Sequence, residues 1–393
     1  MMRGAAMTET QEGPFRAQTI ELFFDLVFVF TITQITHLVE HAHGAVDLLH
    51  ALAVLMLVWW MYGGYIWLTN HAHTRKSMRL VLIVAMGGFL IMALAIPDSA
   101  GEGRLLFGAA YLAIVLLHFA AFAWQGGAAA ARAMLRIVPF NLAAALLVIA
   151  SGLIEGSWSW ILLLSPALLY VVVSVTNTGE GFAIDVCHFV ERHGLLLIIV
   201  LGEIVIATGS GFTTIPHTVG DFVALLLALA LIGSLWWSYF DRDDQHAEHR
   251  MMSADNRDRT RIALFGYNGA HLFMISGLIL VAAGLKAVIG ARIHDIAGGE
   301  QAAAAHGSES LLLFGLGVYL LFDTAFRWLL QQKPLLIRFA AALVALALAL
   351  VAPLHGLPLL AVALALMIVM LLSEGMVERR SDQGGIGRGS HAE

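Results

Sequence analysis

Glu21 and Asp25 stand four residues apart in an otherwise apolar stretch, ELFFDLVFVFTIT. On a helix that spacing puts both carboxylates on one face, and Thr36 lies nearly in line with them three turns further on. A charged side chain at mid-membrane costs roughly 2.5–3.5 kcal/mol on insertion scales, so this stripe should turn away from lipid. Two carboxylates so close repel each other unless a cation sits beside them, which suits proton or cation handling. The alternative leaves Glu21 at the level of the cytoplasmic headgroups and buries only Asp25.

Three further groups of ionisable residues interrupt apolar runs. Glu191-Arg192-His193 opens one of them, and Glu203 lies twelve residues beyond Glu191, about 18 Å along a helix and so close to mid-bilayer. Arg192 and Glu203 share nearly the same face but are too far apart to pair, so each needs another partner. Asp323 and Arg327 have i, i+4 spacing and are expected to pair with each other or with the first and seventh helices. A structural salt bridge fits them as well as a transport role. Among the histidines His37, His118 and His271, which could shuttle protons near neutral pH, His271 stands out because Asn268 makes the same face polar.

Enzyme signatures are missing: there is no Gly-rich phosphate loop after a strand, no His-Glu-x-x-His and no Gly-x-Ser-x-Gly. His41-x-His43, His71-x-His73 and His246-x-x-His249 could touch a metal, but all are expected in loops without a nearby cysteine. No metal, cofactor or catalytic residue is therefore assigned.

The elements that must position these residues follow from composition. Of 393 residues, 59% are hydrophobic and only 13% charged, about half the usual charged fraction of a globular domain, and the mean hydropathy is +0.82. Apolar runs near twenty residues recur, the length that crosses a hydrocarbon core of about 30 Å. They predict an all-α polytopic transmembrane helix bundle of about twelve spans: 19–39, 46–69, 79–97, 104–125, 134–153, 157–177, 191–211, 219–240, 260–286, 309–331, 335–352 and 357–377. Assigning each basic residue to its nearest loop places 19 of the 22 Lys and Arg on the side that holds both termini, which the positive-inside rule makes cytoplasmic. The mixed-charge connection 241–261 then reads as solvated cytoplasmic surface. A net charge of −6 without a basic stripe argues against nucleic-acid binding. A single cysteine, Cys187, excludes an internal disulfide. The polar start of the chain lacks a signal-peptide pattern, so the first helix is expected to stay in the membrane.

An internal repeat is visible. Trp59-Trp60-x-Tyr62 recurs as Trp236-Trp237-x-Tyr239, Glu21 opens the first span as Glu191 opens the seventh, Gly87, Leu90 and Met92 match Gly269, Leu272 and Met274, and Tyr111 matches Tyr319. Two six-helix copies would enter the bilayer in the same direction and be related by an axis along the membrane normal. The domain reading is a tail over 1–18, repeats over 19–177 and 178–377, and a cytoplasmic tail over 378–393. The tryptophan pairs read as interfacial anchors. Gly87-Gly88, Gly194, Gly202, Gly209 and Gly211 read as places of close helix approach.

The segment Glu21-Leu-Phe-Phe-Asp25-Leu-Val-Phe-Val-Phe30-Thr-Ile-Thr-Gln34, with His188-Phe-Val-Glu191-Arg192-His193-Gly194 and Leu201-Gly202-Glu203, resembles the bacterial low temperature requirement A (LtrA) membrane-protein family. Trp236-Trp237-x-Tyr-Phe240 and Tyr267-x-x-x-His271 extend the likeness over about residues 15–378. The resemblance implies an integral membrane protein associated with growth in the cold and leaves the substrate open. The first helix also looks like the Phe-Ser-Asp signature of potassium/proton channels built from six-helix repeats. Phe24 stands where those channels have serine, and the second repeat has no such triplet.

These readings converge on a proton-coupled secondary transporter of the bacterial plasma membrane, with a cation/proton channel or a lipid-related enzyme or sensor as alternatives. Asp25 and Glu203, with Arg192 and His271 near them, would line a polar path between the halves. The candidate binding set is Glu21, Asp25, Gln34, His37, Glu191, Arg192, Glu203, Asn268, His271, Asp323 and Arg327. The expected partners are the lipid bilayer and a small solute or ion, protons included; a homo-oligomer is compatible with the sequence.

Overall fold

Runs of Leu, Ala, Val and Ile without turn residues can satisfy their backbone polar groups inside a bilayer only as helices, and helices are what these runs form. The computed structural model describes residues 17–71, 76–125, 127–154, 156–176, 184–210, 218–297 and 308–389. The first sixteen residues, His73, Gly211 and the boundary expected between the repeats lie outside them.

In chain order the helices are α1 (Thr19–Glu40), α2 (Ala45–His71), α3 (Lys76–Ala95), α4 (Arg104–Gln125), α5 (Gly127–Leu153), α6 (Ser157–Thr176), α7 (Val186–Ser210), α8 (Val219–Phe240), α9 (Asp243–Ser253), α10 (Asn256–Arg261), a π-helical stretch (Ile262–Ala270), α11 (His271–Ala297), α12 (Leu311–Leu329), α13 (Leu336–Val351) and α14 (Gly356–Gly389). Among the described residues eleven helical segments are long and apolar enough to cross a membrane, with α13 as a shorter apolar helix. At sixteen residues α13 is about 24 Å long, less than the hydrocarbon core. The protein is thus an all-α, multi-pass helix bundle.

The run through α10, the π stretch and α11 is the most buried span. It packs against α1, α7 and α12, while α1 also packs on α3, and α14 lies against α8. Large apolar side chains on the outer faces, among them Leu80, Ile83, Val84 and Leu226, remain exposed, as lipid-facing positions should.

Backbone approach is closest between α11 and α12. A Cβ on Gly284 would sit 2.3 Å from the Leu312 nitrogen, on Gly277 2.6 Å from the Tyr319 nitrogen, and on Gly315 2.6 Å from the Gly277 carbonyl oxygen. Glycine alone lets these two helices meet. The glycines expected to serve this purpose mostly do not: Gly87, Gly202 and Gly209 have nothing within 4 Å of such a Cβ, and only Gly88 is tight, against the Ile114 side chain at 3.0 Å.

Two further expectations are corrected. Trp59 is buried and donates to the Asn268 carbonyl, and Trp60 donates to Asn141, so this pair belongs to the interior. Trp236 and Trp237 are the outward pair. The connection 241–261 is mostly helical, and its Asp243 is fully buried rather than solvated.

Candidate functional site

The N-terminal turns of α1 and α7 face each other. Glu21 is the third residue of α1 and closes a capping box, accepting from the Gln18 amide at 2.8 Å. A carboxylate here complements the helix dipole. Both of its oxygens also lie 3.0 Å from His188 Nε2. His188 belongs to the first turn of α7, where its amide donates to Asp185 Oδ1 at 3.2 Å.

The tautomer of His188 follows from Asn70. The Asn70 side-chain oxygen accepts from the Asp185 amide at 2.9 Å, which fixes its Nδ2 as the group facing His188 Nδ1 at 3.1 Å. Nδ1 must then accept, and Nε2 carries the proton given to Glu21. The bridge joins α1, α7 and α2.

One turn deeper, Arg192 Nη1 donates to Asp25 Oδ2 at 2.6 Å, and the Tyr62 hydroxyl of α2 donates to Asp25 Oδ1. Arg192 Nη2 reaches the Tyr62 oxygen at 3.3 Å. Glu21, Asp25 and Arg192 are 3%, 1% and 1% exposed. Both carboxylates are therefore buried within the protein, so Asp25 is not alone in being buried. Arg192 lies inside α7, because that helix begins at Val186 rather than near Glu191. Phe24, Phe28 and Phe89 pack around Tyr62 and keep this ion pair in an apolar setting, where charge-assisted bonds are strong and unpaired charge is costly.

Glu203 sits elsewhere. It is seven residues, about 10 Å by helical rise, from the end of α7 and five beyond the helix midpoint at residue 198. Thr33 of α1 donates to its Oε2 at 2.8 Å, and Glu203 is 4% exposed. Among the described residues no cation lies within ion-pair distance of it. Lys286 of α11 pairs instead with Glu40 at 2.6 Å. Asp25 and Thr33 are eight residues apart on α1, so the two carboxylates occupy separate levels about 12 Å apart along that helix.

The remaining candidates divide between these places and others. Glu191 accepts from the Ala17 amide at 2.9 Å. Gln34 is half-buried on α1, and His37 is exposed with its ring against His41. His271 does not join Asp25 or Glu203: its Nδ1 faces the Gly266 carbonyl at 3.2 Å and its Nε2 the Tyr239 hydroxyl at 3.0 Å. Both ring nitrogens are occupied, as in a neutral core histidine. Asn268 lies in the π stretch, its carbonyl bonded by Trp59.

Asp323 and Arg327 pair neither with each other nor with α1 and α7. Arg327 Nε binds Asp243 at 2.8 Å, and Asp323 is bound by Arg338. Arg338 also reaches Asp243 at 3.2 Å and Glu374 at 3.0 Å, and Gln332 donates to Asp243 at 2.6 Å. Three carboxylates and two guanidiniums from α9, α12, α13 and α14 form this second buried network. Sequence spacing gave no signal for it, because its members are far apart in the chain. Arg338 did interrupt an apolar run, as the other buried charges do.

A profile described as bacterial low temperature requirement A protein (LtrA) matches residues 16–373. A protein of Rhizobium meliloti (strain 1021), described as uncharacterized, is 28% identical over 282 residues, covering 68% of each chain.

Proposed function

The chain belongs to the bacterial low temperature requirement A (LtrA) family, and from that premise we propose that this multi-pass membrane protein is a proton-coupled secondary transporter in which Glu203 is the exchanging carboxylate. The observation that carries this reading is the contrast between the two levels of the α1–α7 seam. Asp25 has a guanidinium and a phenol on its two oxygens, whereas Glu203 has a single neutral donor, Thr33, and, among the described residues, no cation within ion-pair distance. A lone carboxylate in an apolar bundle is stable when it holds a proton and reactive when it must give one up. That is the property a coupling site needs. The Asp25–Arg192–Tyr62 cluster would act as the fixed pivot between the halves.

The same seam supports a duplicated origin. Thr33 and Glu203 each follow by twelve residues the glutamate near the start of their helix, Glu21 and Glu191, and they bond to each other across the seam. In the first half α1 packs on α3 and α4 on α5; in the second α7 packs on α11 and α12 on α13. Parallel six-helix repeats with a site at their interface suit alternating access. The basic-residue asymmetry supports a bacterial plasma-membrane location with both termini cytoplasmic.

The test is electrical recording from proteoliposomes on a solid support while acidic, basic and neutral small solutes are applied at two pH values. A transporter of this kind gives a solute-specific current or internal pH change that scales with the imposed pH gradient. Steady conductance without solute dependence would indicate a channel, and no response to any class would remove the reading.

A further inference from the structure

A second place in the bundle has the form of a ligand site and shares none of the ionic residues of the α1–α7 seam. It is a cavity of about 60 Å³ enclosed by α2, α4, α5, α6 and the end of α10 with the π stretch. Its walls are mostly apolar, with Trp60, Trp67, Phe122 and Val173 among them, and its polar groups are few: His118, Asn141, Asn268 and Thr260. At about 10–15 Å³ per water this space holds roughly four to six waters, the room taken by one small ring.

The backbone is arranged around this space. A Cβ on Gly63 would lie 2.9 Å from Asn268 Oδ1, and one on Gly64 would lie 3.0 Å from His118 Nε2. Two successive glycines on α2 therefore let both polar side chains lean against that helix. On the opposite wall the π stretch, a rare geometry that recurs at functional sites, carries Leu264 and Asn268 to the cavity. The Asn268 carbonyl in this stretch accepts from Trp59 Nε1 at 2.9 Å.

Polar capacity is left over at the cavity. Asn141, 4% exposed, uses its oxygen to accept from Trp60 Nε1 at 2.9 Å, which leaves its amide donors. His118, 3% exposed, lies with its ring against Gly64, and among the described residues its Nε2 makes no hydrogen bond of ordinary geometry. Among the described residues the Asn268 carboxamide makes no hydrogen bond, and it lines the cavity with both a donor and an acceptor. Mostly apolar walls with a few convergent polar groups are the usual make-up of a small-molecule pocket.

We propose that this cavity binds a small neutral molecule, one ring in size and mainly apolar, whose single hydroxyl is held by the Asn268 carboxamide. The walls exclude a charged ligand, since no ionised side chain lines them. The volume excludes a whole lipid or a dinucleotide. The site does not depend on transport and stands or falls apart from the role given to Glu203.

The experiment uses the full-length protein in lipid nanodiscs and follows binding of two probes, 4-fluorophenol and fluorobenzene, by fluorine NMR. The reading is a saturable protein-bound resonance absent from empty nanodiscs. In the wild type the phenol should bind about three- to ten-fold more tightly than fluorobenzene, the worth of one net hydrogen bond. Asn268→Leu should bring that ratio close to one while leaving fluorobenzene affinity unchanged. Val173→Trp, which fills the cavity, should abolish both resonances. If that variant melts early, Asn268→Leu decides the matter alone, because the Trp59 bond is to the Asn268 backbone and survives. An unchanged ratio in Asn268→Leu, a bound resonance that persists in a stable Val173→Trp, or no saturable site in the wild type would each overturn the proposal.

Discussion

Arg192 of α7 and Asp25 of α1 form an ion pair at 2.6 Å with both side chains almost fully buried, and it fastens the first half of the chain to the start of the second. Burying two charges is costly, and such a pair holds only when its remaining lone pairs are satisfied. Here the Tyr62 hydroxyl meets the second carboxylate oxygen. The pair therefore defines a register between α1, α2 and α7 that apolar packing alone would leave loose.

Removing one partner should show this. Arg192→Met leaves an uncompensated buried carboxylate and is expected to cost about 3–5 kcal/mol, read as a large fall in Tm of the solubilised protein. Tyr62→Phe removes the hydroxyl's bonds to Asp25 and Arg192 and keeps the ion pair, so about 1–3 kcal/mol is expected. The double variant Asp25→Asn with Arg192→Met should be more stable than Arg192→Met alone. Equal losses for all three would mean that the cluster is not a unit.

The second network gives a comparison of buried with exposed charge. Arg338 binds Asp323, Asp243 and Glu374 inside the bundle, while Arg242, 56% exposed at its side chain, pairs with Glu378 at the surface. Arg338→Gln is expected to lower Tm sharply, because three buried carboxylates would be left with Arg327. Arg242→Gln should change it little, since surface pairs are worth about 0–1 kcal/mol. Comparable shifts would contradict the placement of this network.

Glycine substitutions separate the tight seam from the open faces. Gly284→Ala would push a methyl group to 2.3 Å from the Leu312 backbone nitrogen, and overpacking of this kind costs at least about 1–3 kcal/mol. Gly87 meets nothing within 4 Å, so Gly87→Ala should be neutral or stabilise α3 by about 0.5–1 kcal/mol. Thermal melting of the two variants is enough to check the difference in sign.

The His188 tautomer can be read directly. Nitrogen NMR of histidine-labelled protein should show a His188 ring protonated on Nε2 alone, as the Asn70 contact requires. Asn70→Leu removes that constraint and should alter the His188 signal. A wild-type ring protonated on Nδ1 would contradict the geometry of the Glu21 bridge.

Much of this architecture was legible in the residues themselves. Long apolar runs give helices of membrane length, and Glu21, Asp25, Arg192 and Glu203 were conspicuous because charge inside such runs needs a reason. What spacing could not supply was the partner. Arg192 and Asp25 are separated by 167 positions, and only packing of α1 on α7 brings them together. Asp323 and Arg327 looked like a pair because i, i+4 residues share a face. That face meets Asp243 and Arg338, and charge on neighbouring helices is not encoded in local periodicity. His271 looked available for proton transfer until Gly266 and Tyr239 were found on its two nitrogens. Trp59 and Trp60 matched the exposed Trp236 and Trp237 in sequence yet turn inward, where their indole N–H groups meet acceptors on Asn268 and Asn141.

The central claim is that Glu203 exchanges a proton with water while Asp25 stays fixed in its ion pair. Infrared difference spectra of the protein in lipid, taken as the pH is lowered, test it most directly through the carbonyl stretch of a newly protonated carboxyl. The account expects such a band in the wild type and in Arg242→Gln, whose ion pair lies at the surface, and its loss in Glu203→Gln. A band of undiminished intensity in Glu203→Gln would place the exchanging proton elsewhere and contradict the account.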